Sequence, residues 1–188
     1  MDKLRRELLT NAVGATLVGV NPQVLTASLI PSEGGSGPTV PPEEYLPQCT
    51  LIIESCWEWM SLGNYNKLET ALQRTMPTLR RFANTPGSYQ SIAANLAMQA
   101  NILQISLATK NMDFIAREIS CIEAVKFGEL SGDPNLHVTA LDWHVNTYTV
   151  CYRRPQMAIK IFRGMLPRLN SDTSQLILSA VYGDLSVA

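Results

Sequence analysis

A helical hairpin is written three times in succession along this chain, and no other feature constrains its fold as tightly. Each copy is a long apolar-periodic stretch, a tight polar turn and a second periodic stretch. The turns fall at Gly63-Asn64-Tyr65, at Lys110-Asn111-Met112-Asp113 and at Arg153-Arg154-Pro155. They lie roughly 40–50 residues apart, the scale of stacked helix-pair repeats. Stacking buries a face that one hairpin alone leaves in water. The expected fold is therefore all-α, an antiparallel stack of helix pairs (an α-solenoid) of about seven or eight helices. No Val/Ile/Thr-rich strand with a hairpin turn signal interrupts the pattern.

Three regions follow from the pattern. Residues 1–30 form an N-terminal helical segment, in which Leu4, Leu8, Leu9, Val13 and Leu17 repeat at helical spacing. Two readings of its start stay open. It is an amphipathic helix that docks on the rest of the domain, or its Arg5-Arg6 pair before an apolar run is a twin-arginine export signal. Residues 31–42, PSEGGSGPTVPP, are a flexible linker, because Gly, Ser and Pro at this density sustain no helix. Gly34-Gly35-Ser36-Gly37 has the style of an engineered insert. Residues 43–188 carry the repeats. Helices are expected from about Pro42 to Leu62, Tyr65 to Asn84, Tyr89 to Thr109, Asp113 to Leu130, Leu136 to Tyr152 and Pro155 to Leu169. Pro77 should kink or shorten the second. The third, rich in Ala and apolar almost all round, should be the most buried. The fourth repeats Ile115, Ile119, Ile122 and Lys126 at helical spacing. A last helix, capped at Asn170-Ser171-Asp172 and running to Ala188, reads as the first half of a truncated fourth hairpin.

The segment CWEWMSLGNYNKLETAL, Cys56–Leu72, resembles a tetratricopeptide (TPR) repeat. Gly63, Asn64, Tyr65 and Leu68 stand where that family has its turn glycine, polar residue, aromatic residue and small or apolar residue. Gly permits the tight turn, and the aromatic packs across both helices. The later copies depart from the pattern. Asn111 or Lys110 stands for the glycine in the second and Arg153 in the third, with Ala116 or Ile115, and then Ala158, at the small position. The whole chain is also similar to the sensor or assembly region of bacterial regulators with a Cro-repressor-type helix-turn-helix, on the strength of Arg5-Arg6-Glu7-Leu8-Leu9 and a linker before the repeats. No DNA-reading helix-turn-helix stands in the chain itself. The resemblance implies a cytoplasmic, non-enzymatic module that binds a protein or peptide, in the service of transcription regulation.

Composition bears on what such a module does. Charged residues make up only 16% and hydrophobic ones 46%, against about 25% charged for typical soluble domains. Two explanations stay open: part of the surface lies against a partner or a second copy of the chain, or the chain is a piece cut from a longer protein. With a net charge of −1, direct nucleic-acid binding through clustered cations is not expected, and no segment reads as a membrane span. Cys49, Cys56, Cys121 and Cys151 form no C-x-x-C pair, which fits reduced, buried thiols. His137 and His144 lie seven residues apart, not the four of a helix-borne metal pair, so neither metal nor cofactor is expected. No serine sits in a Gly-x-Ser-x-Gly context, and no Gly-rich phosphate loop is present. Aligning the first helices by their turns predicts a partner-binding groove of Ile53, Trp57 and Met60, then Asn101 and Ile105, then Trp143 and Thr147. The alternatives are a self-associating structural domain that forms a homodimer, and an exported protein.

Overall fold

The computed structural model describes residues 40–168, and these are helical with no strand. Six α-helices run in order: α1 Pro42–Ser61, α2 Tyr65–Asn84, α3 Gln90–Lys110, α4 Phe114–Ser131, α5 Pro134–Asn146 and α6 Pro155–Met165. A π-turn, Thr147–Cys151, extends α5, and a 3-10 turn, Leu166–Arg168, follows α6. The expected N-terminal segment, most of the linker and the last helix lie outside the described residues, so the six helices compare with the six expected between Pro42 and Leu169.

Each helix packs on the next, and the alternate helices α1, α3 and α5 also meet. Neighbours are antiparallel. Tyr45 at the start of α1 meets Phe82 at the end of α2, with ring centroids 5.8 Å apart. On the other side, α2 reaches α4 through side chains, with Arg80 Nε 3.0 Å from Glu123 and Lys126 Nζ 2.6 Å from Asn84.

The ends of the helices are set by local chemistry. Glu43 and Glu44 lie in the first turn of α1, where the helix dipole favours carboxylates. Asp113 caps α4 by accepting from Ala116 N–H at 2.9 Å, and Asp133 caps α5 by accepting from Asn135 N–H at 2.8 Å. With Pro134 in the first turn, α5 begins two residues before the expected Leu136. α2 runs through Pro77 to Asn84 rather than ending early. Pro77 is exposed, so the carbonyl it frees one turn back can meet water.

The three hairpin turns share one geometry, and it corrects the expected register. A residue with positive φ comes first, then the cap, then the helix. Gly63 takes this place at φ 75°, Met112 at 56° and Arg153 at 51°. The glycine position of the second copy is therefore Met112, not Asn111 or Lys110. Its aromatic is Phe114. The position held by Leu68 in the first copy and Ala158 in the third falls on Arg117, not on Ala116 or Ile115.

Two apolar clusters hold the helices. The larger joins α1 to α5 and includes Ile53, Leu68, Leu72, Met76, Leu79, Met98, Ile102, Leu103 and Phe127. α3 is the most buried helix, as its composition predicts. A smaller cluster, Val138, Leu141, Val145, Tyr148, Ala158, Phe162 and Met165, belongs to the last hairpin. Where α4 crosses α5, Gly128 lets the backbones touch. A Cβ there would lie 2.9 Å from the Cα of His137.

Candidate functional site

The predicted groove does not form a surface. Ile53, Trp57, Asn101, Ile105 and Thr147 are buried, none more than 6% exposed, while Met60 and Trp143 are half-buried. Trp57 Nε1 donates to Gln99 Oε1 at 3.3 Å and ties α1 to α3. Asn101 Nδ2 donates to the Ala97 carbonyl within its own helix at 2.8 Å, which leaves no peptide-facing amide. The correction has two causes. Choosing Asn111 as the second turn slips α3 by one residue, and one residue turns a helix face by about 100°. More fundamentally, α3 packs on α1, α2, α4 and α5, and the residues predicted to line the groove from it are buried beneath them.

The structure gathers Trp143 and Thr147 into a polar seam between α4 and α5. Its centre is Arg117, only 3% exposed at the place where the other copies hold Leu68 and Ala158. Its Nε donates to Thr147 Oγ1 at 2.9 Å and Nη2 to Asn146 Oδ1 at 2.9 Å. Nη1 donates to Thr109 Oγ1. The Trp143 ring centroid lies 5.8 Å from the guanidinium carbon. Cys121 Sγ is 3.2 Å from Thr147 Oγ1. The π-turn makes this seam possible. Thr149 Oγ1 lies 3.1 Å from the Val145 carbonyl and 3.2 Å from that of Asn146, and such back-bonding competes with the regular ladder. The widened turn then closes through Tyr152 N–H to Thr147 O at 3.1 Å. It brings Thr147, Tyr148 and Tyr152 all toward α4.

Beside the arginine lies a second group. Glu118 accepts from Tyr148 Oη, and Tyr152 Oη lies 2.9 Å from its other oxygen and 3.0 Å from the Phe114 carbonyl. Hydrogen bonds from the two tyrosines hold the Glu118 carboxyl below its ordinary value. The bond to that carboxylate pushes Tyr148 up to about 12. Burial lowers His144, whose ring sits 5.4 Å from that of Tyr148.

The chemistry of this seam is that of a clasp. The groups at its centre bond to each other rather than converging on a space a substrate could enter. Burial pushes Cys49 and Cys56 up to about 12 and Cys121 up to about 11, so these thiols are held protonated and unreactive. As expected, these three free cysteines are buried, while Cys151 is partly exposed. Among the described residues no three His, Cys, Asp or Glu side chains are grouped to hold a metal ion. No helix among them is long and apolar enough to cross a membrane.

The clasp escaped the sequence reading, although a signal existed. Once Met112 is placed as the turn residue, an arginine at an apolar repeat position stands out. The remaining feature lies on the outside. Ile115, Ile119 and Ile122 of α4 are 72%, 55% and 54% exposed, and Met112 in the turn before them is 69% exposed. The periodicity of this stripe is real, but it faces away from the core. The inward side of α4 is Arg117, Ser120, Cys121, Ala124, Phe127 and Gly128. On the neighbouring α2 the exposed residues include Glu69, Gln73, Arg74 and Arg81, as polar as a solvated face should be.

Together these features define an all-α protein of consecutive antiparallel helical hairpins, clasped inside and apolar along one outer helix. Comparison with protein-family models, curated proteins and solved structures returned no match.

Proposed function

We propose that this chain is a non-enzymatic protein-interaction module that meets its partner through the outer face of α4. One observation carries the reading: three isoleucines at one-turn spacing stand more than half exposed on a single helix. Scattered apolar residues are ordinary on a surface, but a contiguous ridge marks an interaction site. The internal clasp and the protonated thiols support a scaffolding role over a catalytic one. Buried free thiols also support a reducing, cytoplasmic setting. The resemblance to assembly regions of bacterial regulators extends the reading to transcription control, with DNA contact made by another domain.

The test is photo-crosslinking in living cells. A photoreactive amino acid at Ile119 should give protein adducts on illumination, whereas the same group at Gln73, on the outer face of α2, should give few. An Ile119 probe that yields no intermolecular adduct would overturn the reading.

A further inference from the structure

We infer that the partner of the α4 ridge is a second copy of this chain, packed as an antiparallel α4–α4 pair about a two-fold axis beside Ile119. The inference rests on the reading of this face as an interaction surface and adds its occupant. Three observations point to self-pairing.

The first is spacing. Ile115, Ile119 and Ile122 follow the 4–3 rhythm, continued by Lys126 four residues on. That rhythm is the seam of two helices packed at a shallow angle. The second is self-complementarity. A two-fold beside Ile119 sets Ile115 of one copy against Ile122 of the other, so one apolar ridge covers its equal. A two-fold interface requires this of a single patch. Among the described residues no other helix offers such a ridge. The remaining large exposed apolar residues, such as Leu62, Ile92, Val150 and Met157, stand singly on different elements.

The third observation is charge. In this arrangement the exposed Lys126 near the end of one α4 approaches the beginning of the other. There it meets the exposed Asp113 carboxylate that caps that helix. The contact occurs twice by symmetry, once at each end of the ridge. A parallel pair would instead set Lys126 against Lys126 and Asp113 against Asp113. A ridge of three isoleucines is small beside an obligate interface, so the pairing should be weak and reversible.

Sedimentation equilibrium of the full chain over about 1–200 μM tests the inference. The mass should rise from the monomer's 20.7 kDa toward twice that value. Ile119→Glu sets two carboxylates near the axis and should weaken association about 100-fold, with the helical circular dichroism unchanged. Ile119→Cys in a Cys151→Ser background should form a disulfide-linked dimer on mild oxidation, since the axis brings the two positions close. A chain that stays monomeric throughout this range, or a dimer indifferent to Ile119→Glu, overturns the inference. So does an Ile119→Cys dimer that fails to link. The cellular photo-adducts separate the two readings. Adducts of another protein would overturn self-pairing and leave the interaction surface standing. Adducts confined to residues 1–39 or 169–188 of the same chain would overturn both.

Discussion

Replacing Arg117 gives a sharp test of the clasp, because two substitutions should rank in the order opposite to charge conservation. Arg117→Lys keeps the charge and loses the planar fork. The fork reaches Thr147, Asn146 and Thr109 in three directions, and an ammonium can serve only one or two of them. Hydrogen bonds to a charged group are worth about 1.5–3 kcal/mol each, and the buried charge remains to be solvated. A loss of about 3 kcal/mol follows for Lys. Arg117→Met removes the charge along with the bonds. The partners are not stranded by its loss, because Thr147 Oγ1 also donates to the Trp143 carbonyl at 2.9 Å and Thr109 Oγ1 to that of Ile105 at 2.6 Å, and Asn146 is only half-buried. Met fills much of the space of the arginine stem and adapts to gaps. The Met variant should therefore lose about 1 kcal/mol. At about 2–4 °C per kcal/mol for a domain of this size, thermal denaturation should show Lys melting about 6–12 °C below the parent and Met within about 4 °C. A Lys variant that melts near the parent, beside a Met variant that collapses, would show that the seam needs the charge itself. The reasoning from neutral partners would then be wrong.

Three further outcomes are expected. Arg153→Gly relieves a left-handed residue at φ 51° and should raise stability by about 1 kcal/mol by urea unfolding; no gain would show that the turn is not strained. Gly128→Ala places a Cβ 2.9 Å from the His137 backbone, so overpacking should cost about 2 kcal/mol, and a neutral result would mean that α4 and α5 can separate freely there. Burial lowers His144 from 6.5, so the folded state binds this proton less readily than the unfolded one. Its contribution is present above that value and is lost as pH falls below it. Melting temperature should then drop less between about pH 7.5 and pH 5.5 in His144→Gln than in the parent.

The helices were legible in the sequence because they rest on local signals, namely Gly63, Asp113, Pro155 and the apolar period between them, while the Asp133 cap and Pro134 put the start of α5 two residues before the expected one. The side on which each stripe lies was not legible. Ile115, Ile119 and Ile122 read as a core face by any periodicity, and the true inner face of α4 is smaller and more polar. Close packing accounts for it, since Gly128 lets the α5 backbone approach where isoleucine would hold it apart. The groove was lost because its stripes are largely buried in all three copies, and in the second the register also slips by one residue at Met112, a residue type that seldom takes positive φ and so gives no sign of doing so. Arg117 was invisible for the same reason, because its position in the repeat depends on that register.

The division of the apolar interior into two clusters has a consequence for cooperativity. The last hairpin carries its own cluster, from Val138 to Met165, and is fastened to the remainder by Leu136 and Ala140 in the larger cluster and by the Arg117 and Glu118 hydrogen bonds. Such a boundary is where partial unfolding begins, with free energies below that of the whole domain. Amides of α6 should exchange with solvent sooner than those of α3 while Trp57 stays enclosed. Trp143 stands on the boundary, so its fluorescence reports the undocking of one hairpin, while Trp57 and Trp59 of α1 report the melting of everything else.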